Sequence, residues 1–216
     1  MFKPLNHRIT QWHGRRVWVV GASSGIGAAL AQALLQAGAR VVLSARSASG
    51  LAQVAAGHPL AEVLPLDVTD ATAWAQAAHT LQQQGAAPDL VVFCAAVYRP
   101  QHSWELQADE VAYTLQTNLA GVYYGLQAVL PGMRTHGRGG VAIVASVAGY
   151  VGLPGAAVYG PTKAALINLA ELLYSELHPQ GLDVYLVNPG FVQTRLTARN
   201  RFAMPALLSP DQAAQA

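Results

Sequence analysis

Four residues of this chain have the types and spacing for moving a proton at an oxygen atom. Tyr159 and Lys163 stand four apart at the start of a long helical stretch, so their side chains share one helix face. Ser146 lies thirteen residues before Tyr159, at the end of an apolar strand. Asn118 sits in Thr117-Asn118-Leu119-Ala120-Gly121, inside another helical stretch. A free phenol titrates near ~10, so acid–base work at neutral pH requires a lower value. A neighbouring ammonium favours the phenolate by charge attraction, and a helix N-terminus pushes the same way. A serine hydroxyl can hold a carbonyl oxygen within reach of the phenol. Y-x-x-x-K by itself is common: a tyrosine so placed can simply pack, and a lysine can simply face water. Asn is a poor helix-interior residue, which gives Asn118 a reason other than helix propensity. The combination carries the reading.

A second constellation precedes these. Gly21-Ala22-Ser23-Ser24-Gly25-Ile26-Gly27 follows the first apolar strand and opens a helix. Glycines there let the backbone turn tightly and approach a diphosphate, whose charge meets free N–H groups at the helix N-terminus. A glycine triplet alone is a weak signal, but strand before and helix after is the context the motif demands. About 20 residues further on, the second strand ends in Ser44-Ala45-Arg46. An acid there would bind the ribose hydroxyls of NAD and repel a 2′-phosphate. None is present. Arg46 suits a phosphate and Ser44 can add a hydroxyl, so NADP(H) is expected over NAD(H), with simple solvation of Arg46 as the alternative.

These groups need a frame, and the chain supplies one. Apolar strand candidates at Arg16–Val20, Arg40–Ser44, Glu62–Leu66, Leu90–Cys94, Val141–Ser146 and Asp183–Val187 are nearly continuous in Val, Leu and Ile. Parallel strands covered on both faces read this way. Between them lie helical stretches over Ile26–Ala37, Asp70–Gln84, Asp109–Arg134 and Tyr159–Leu177. Gly38 and Gly85 stop the first two, Asp70 is placed to cap the second, and Pro161 falls where a first helical turn tolerates it. The alternation implies an α/β fold: a doubly wound parallel sheet of Rossmann type between two helical layers, as one domain over residues 1–216.

Composition narrows the classes. Of 216 residues, 52% are hydrophobic and 11% charged, enough for a large core and too apolar for disorder. A net charge of +2 with scattered arginines argues against nucleic acid, and His13-Gly14-Arg15-Arg16 reads as a solvated approach to the first strand. A single cysteine, Cys94, leaves no intramolecular disulfide or multi-cysteine zinc site; within its apolar run it reads as a small buried hydrophobe. No metal is expected. Residues such as Lys3, Pro4, Asn6, His7 and Arg8 give no signal-peptide core, and no apolar run reaches the ~20 residues of a membrane span. A cytoplasmic protein without membrane partners is expected.

The G-x-x-x-G-x-G spacing together with Ser146, Tyr159, Lys163 and Asn118 resembles the short-chain dehydrogenase/reductase family over essentially the whole chain. The resemblance implies hydride transfer between NADP(H) and a small or medium carbonyl/alcohol pair. Ser146 would orient substrate and Tyr159 would act as acid and base. Lys163 would bind the nicotinamide ribose and lower the phenol's pKa, and Asn118 would interrupt its helix and hold a water behind the lysine. It also implies adenine contacts from Asp67 and Val68. Ala95 would border the adenosine, and Pro189, Gly190, Val192 and Thr194 would anchor the carboxamide. A homodimer or homotetramer is the family habit.

Departures are visible too. Val20 replaces a threonine before the turn, and Phe93-Cys94-Ala95-Ala96 replaces Asn-Asn-Ala-Gly. The chain ends where Ser209 opens a further helix that in relatives leads to a final edge strand; that strand is expected to be absent, or the chain shortened. Tyr98, Arg99, Tyr150, Leu153 and Phe191 are candidate pocket walls. Arg195, Arg199, Arg201, Phe202 and Met204 fall in the segment that covers substrate in relatives, and its arginines either meet an acidic group or face water. A non-catalytic NADP(H)-binding regulatory protein on the same fold is the competing reading.

Overall fold

The computed structural model describes residue 6 and residues 8–85, 87–200 and 202–215. Lys3, Pro4, His7, Arg201 and Ala216 lie outside the described residues. Six parallel strands form one sheet: β1 (Arg16–Val20), β2 (Arg40–Ser44), β3 (Ala61–Val63), β4 (Leu90–Phe93), β5 (Gly140–Val144) and β6 (Asp183–Val187). Their order is β3-β2-β1-β4-β5-β6, so the winding reverses between β1 and β4. Open α/β sheets place their ligand crevice at the carboxyl end of such a switch point.

Among the described residues seven α-helices accompany the strands: α1 (Gly25–Gln36), α2 (Ala48–Ala55), α3 (Ala71–Gln83), α4 (Ala108–Leu115), α5 (Gly121–His136), α6 (Tyr159–Leu177) and α7 (Pro210–Gln215). The near-continuous apolar strands are explained by cover on both faces. Trp18, Val20 and Val91 pack with Trp74 and Leu81 of α3, Leu126 of α5 and Leu166 and Leu173 of α6. Val17, Val19 and Leu43 face the other way, onto Leu34 of α1 and Leu51 of α2. Side-chain alternation along each strand thus feeds two cores.

Three strands and the last long helix stand where the sequence placed them, and Asp70 caps α3 by accepting from the N–H groups of Thr72 and Ala73. β3 is shorter and begins one residue earlier than expected, and β5 is displaced toward Gly140. The stretch expected as one helix over Asp109–Arg134 is α4 and α5 joined by a π-helical turn, Gln116–Ala120. Helix α2 was not expected. Its signal is Ser47, whose hydroxyl accepts from Gly50 N–H as an N-cap, ahead of Leu51 and Ala55 on the buried side.

Arg16 corrects the reading of the basic cluster. It is buried, and its guanidinium reaches Leu81 O at 3.2 Å, Glu62 at 2.7 Å and the Gln84 side chain. Among the described residues there is no strand beyond β6, no helix long and apolar enough to cross a membrane, and no cluster of His, Cys, Asp and Glu suited to a metal.

Candidate active site

At the carboxyl edge between β1 and β4 a cleft of about 360 Å³ runs from the glycine turn to Tyr159. Its floor exists because Gly21 has no side chain. A Cβ there would lie 2.5 Å from Ala95 N, and its φ of +96° is itself unfavourable for other residues. A Cβ on Gly27 would meet Gly21 O at 2.3 Å, so α1 could not start this close to the turn. Ser24 is extended and makes no side-chain cap bond, and no acid stands in the first turn of α1. The N–H groups of Gly25 and Ile26 at the start of α1 therefore remain available to an anion. No carboxylate lines the cleft among the described residues, whereas Arg46, Lys163 and Arg195 do. An anionic dinucleotide fits this cradle.

At one end of the cleft the four chemically suggestive residues converge. Ser146 follows β5 and accepts from Ala148 N–H at 3.2 Å, which caps a short 3₁₀ turn and fixes the hydroxyl beside the phenol of Tyr159. Lys163 is buried and donates from Nζ to Val144 O at 2.8 Å, with Nζ 5.5 Å from the centre of the Tyr159 ring. Asn118 is fully buried in the π turn. Its Oδ1 accepts from Val97 N at 2.7 Å, and its Nδ2 donates to Val97 O at 2.9 Å and Thr162 Oγ1 at 3.3 Å. That amide imitates a strand partner and locks the residues after β4 onto α6. With its side chain consumed in this way, Asn118 positions its neighbours and does not line the cleft.

The electrostatics of this end differ from the sequence expectation. Burial pushes the Tyr159 phenol up to about 12, outweighing the hydrogen bond from Ser146 that pulls it down. Burial also pushes the Lys163 ammonium down to about 8. The protein alone therefore keeps the proton on Tyr159 and weakens the hold of Lys163 on its own. Desolvation, which the spacing of the motif cannot reveal, wins over the expected charge attraction.

At the other end Arg46 is exposed on the cleft wall, with its Cζ 5.8 Å from the centre of the Tyr113 ring. Ser44 does not stand with it. Its hydroxyl is fully buried, accepting from Trp18 Nε1 at 2.8 Å and donating to Leu64 O at 2.6 Å, so it has nothing left for a phosphate. The last residue of a strand points to one face or the other, and here it points into the core. Ser23 and Ser47 line the cleft in its place. Val68 also lines it. Asp67 stands behind, its Oδ1 accepting from the N–H and hydroxyl of Thr69 at 3.0 and 2.8 Å.

Pro189, Gly190, Val192 and Thr194 form the wall opposite the glycine turn, together with Ser23, Ser24, Gly25, Ile26 and Ala95 on the facing side. Thr194 is held by Thr197, whose hydroxyl donates to Val192 O at 2.5 Å, and the segment is pinned by Gln193 N–H donating to Leu208 O at 2.8 Å.

A family model described as short chain dehydrogenase matches residues 15–204, which include every element of this cleft. The chain belongs to that family. An uncharacterized oxidoreductase of Myxococcus xanthus is 36% identical over 205 residues, spanning 93% of this chain and 81% of the relative. A solved structure described as ribose-5-phosphate isomerase from Brucella melitensis has a TM-score of 0.89 at 30% identity, over 95% of this chain and 84% of that one. A 3-ketoacyl-(acyl-carrier-protein) reductase from the same organism, complexed with NADH, has a TM-score of 0.87 at 24% identity, over 95% and 89% of the two chains; it shows the fold alone. This short-chain dehydrogenase is thus an oxidoreductase of a family that uses a nicotinamide cofactor.

Its departures from the family pattern now have places. Cys94 is half-buried and lines the cleft, so it is not simply a core residue. Burial holds its thiol up at about 11, away from the reactive thiolate. Thr117 also lines the cleft, with a buried hydroxyl that has no partner, and nothing in its sequence neighbourhood marks it. On the substrate side, Tyr98 packs on Tyr159 with ring centres 5.0 Å apart. It opens onto a second hollow lined by Pro100, Pro154, Arg199, Asn200 and Phe202. Phe191 packs against Phe202 at 5.8 Å, whereas Arg99 pairs with Glu110 and Tyr150 accepts from Asn188 Nδ2 at 2.6 Å, so neither lines that hollow.

Proposed function

We propose that the protein, acting as one domain, catalyses hydride transfer between NADP(H) and a small or medium carbonyl/alcohol pair, with Tyr159 exchanging the proton. The observation that carries this reading is the meeting of Ser146, Tyr159 and Lys163 at one end of a cleft whose other end is the glycine turn and Arg46. When bound, the nicotinamide supplies or takes up the hydride. The turn residues Gly21, Ser23, Ser24, Gly25, Ile26 and Gly27 would hold the diphosphate. Arg46, with Ser23 and Ser47, would hold the 2′-phosphate, while Val68, Ala95 and Asp67 would border the adenosine. Pro189, Gly190, Val192 and Thr194 would hold the carboxamide side.

The chain's own residues divide the remaining work. Ser146 donates to the substrate oxygen and keeps it beside the phenol. Tyr159, protonated at neutral pH, releases its proton to that oxygen in the reducing direction. Lys163 stands under the phenol and supplies positive charge as the proton leaves. Asn118 holds residue 97 against α6 and so fixes the wall that carries Tyr98. The lone free Cys94 fits a reducing compartment, here the cytoplasm, and exposed Leu115 and Tyr123 on α4 and α5 support self-association as a homodimer or homotetramer.

The test is a panel of carbonyls and alcohols followed by absorbance with NADPH and with NADH. Turnover with NADPH that disappears in Tyr159→Phe, while cofactor binding persists, is the expected result. Retained turnover in that variant overturns the role of Tyr159. Tight NADPH binding with no turnover anywhere on the panel would support a regulatory binding protein instead.

A further inference from the structure

Among the described residues Arg46 is the one exposed cation at the adenosine end of the cleft, and its surroundings differ from those of a solvated arginine. Among the described residues it donates no hydrogen bond and pairs with no carboxylate; its contact is with the ring of Tyr113, at 5.8 Å. Tyr113 comes from α4, is half-buried and does not itself line the cleft. One helical turn further along the same side is Thr117, whose hydroxyl is buried without a partner on the cleft wall. An exposed arginine otherwise samples many rotamers, and holding it in one costs entropy. A ring contact restricts that freedom through charge and leaves every N–H donor of the guanidinium unspent.

We infer that Tyr113 is a positioning residue for cofactor choice, holding the Arg46 guanidinium across the adenosine end so that a 2′-phosphate meets preset donors. This rests on the NADP(H) reading of Arg46 above. Tyr113 does not itself touch the phosphate in this scheme; its ring, and not its hydroxyl, does the holding. Removing the ring returns Arg46 to its rotamer ensemble, which weakens NADPH and leaves NADH alone, since only the former carries the group Arg46 would bind.

Dissociation constants for NADPH and NADH, from quenching of protein fluorescence with no substrate present, test this on the full chain. Wild type, Arg46→Ala, Tyr113→Leu, Tyr113→Phe and the double variant Arg46→Ala/Tyr113→Leu are compared. The expected result is a two- to fivefold weakening of NADPH by Tyr113→Leu, about the size of an exposed cation–π contact, with NADH unchanged. Tyr113→Phe should bind as wild type, and Tyr113→Leu should add nothing once Arg46 is alanine. Tyr113→Met, which keeps volume without a ring, replaces the leucine variant if that one does not fold. Equal weakening of NADH, equal loss in Tyr113→Phe, or an NADPH preference that Arg46→Ala abolishes and Tyr113→Leu leaves intact each overturns the role of Tyr113 alone. A wild-type chain that binds NADH as tightly as NADPH overturns the NADP(H) reading, and this inference with it.

Discussion

The two ends of the cleft are built on opposite principles. Around Tyr159, Lys163 is tied to Val144 O, Asn118 has every amide group engaged, and Ser146 caps a turn as well as facing the phenol. Around Arg46, the guanidinium meets a ring and water, and its neighbours Ser23 and Ser47 lie on an open wall. Groups in the first set are fixed by the fold before anything binds, which is what proton transfer over a fixed distance requires. In the second set Ser47 already caps α2, but the guanidinium of Arg46 keeps its donors unspent, which is what recognition of a charged group by added hydrogen bonds requires. Substitutions at the first end should therefore change rate, and those at the second should change which cofactor is held.

The sharpest way to break that division is Tyr159→Phe. Turnover is expected to fall by roughly 10²–10⁴-fold, the range general acid–base catalysis supplies, while the dissociation constant for NADPH stays within about twofold. A variant that lost binding and kept its rate would reverse the assignment of the two ends. Next in size is Arg46→Asp. Losing charge-assisted hydrogen bonds to a phosphate should weaken NADPH by roughly 10–100-fold, with NADH unchanged or improved and turnover at saturation retained. An NADPH preference that survived this change would remove the phosphate argument.

Asn118→Ala should act through structure. It leaves Val97 N–H and C=O, now bonded to Asn118 at 2.7 and 2.9 Å, without partners in a half-buried place. An unsatisfied buried group costs about 1–3 kcal/mol, and for a chain of this size that lowers Tm by about 2–12 °C. Calorimetry would show it, and an unchanged Tm would mean that water replaces the amide.

How much of this was legible beforehand follows the same split. Short-range patterns announced themselves: the glycine turn opening α1, the apolar strands, Asp70 as a cap, and Tyr159 with Lys163 on one helix face. Their physics is local, so the sequence displays it. Ser44 was misread because a strand-end hydroxyl points to either face, and only the position of Trp18 and Leu64 decides which. Arg16 was misread for a similar reason: its partners Glu62, Leu81 and Gln84 are distant in the chain. The π turn at Asn118 was visible only as an ill-suited residue in a helix, and Tyr113 not at all, because a ring contact with Arg46 has no signature in either neighbourhood. The direction of the pKa shifts at Tyr159 and Lys163 also escaped, since burial is a property of the fold.

Those shifts give the last and smallest test of the contrast, a pH dependence confined to the buried end. The folded value of Lys163 is lowered to about 8 from 10.5, so between those limits the unfolded chain holds a proton that the native chain has released. Stability then rises with pH across that window as far as this group is concerned, and the cost of burying the ammonium is present in full below about pH 8. Tyr159 works the other way: its folded value is raised to about 12, so the native state keeps a proton the unfolded chain loses, and stability falls above about pH 10. Cys94, raised to about 11 although Lys163 pulls it down, begins to oppose the trend above 9, but up to about pH 9.5 the native thiol stays protonated with or without Lys163, so its contribution cancels in the difference. The informative quantity is therefore the Tm of wild type minus that of Lys163→Met, cofactor-free, between about pH 7.5 and 9.5. It should move in favour of wild type as pH rises, because methionine has no proton to release. A difference independent of pH would mean that Lys163 keeps an ordinary ammonium despite its burial. The buried end would then hold a charged lysine under Tyr159 across that whole pH window.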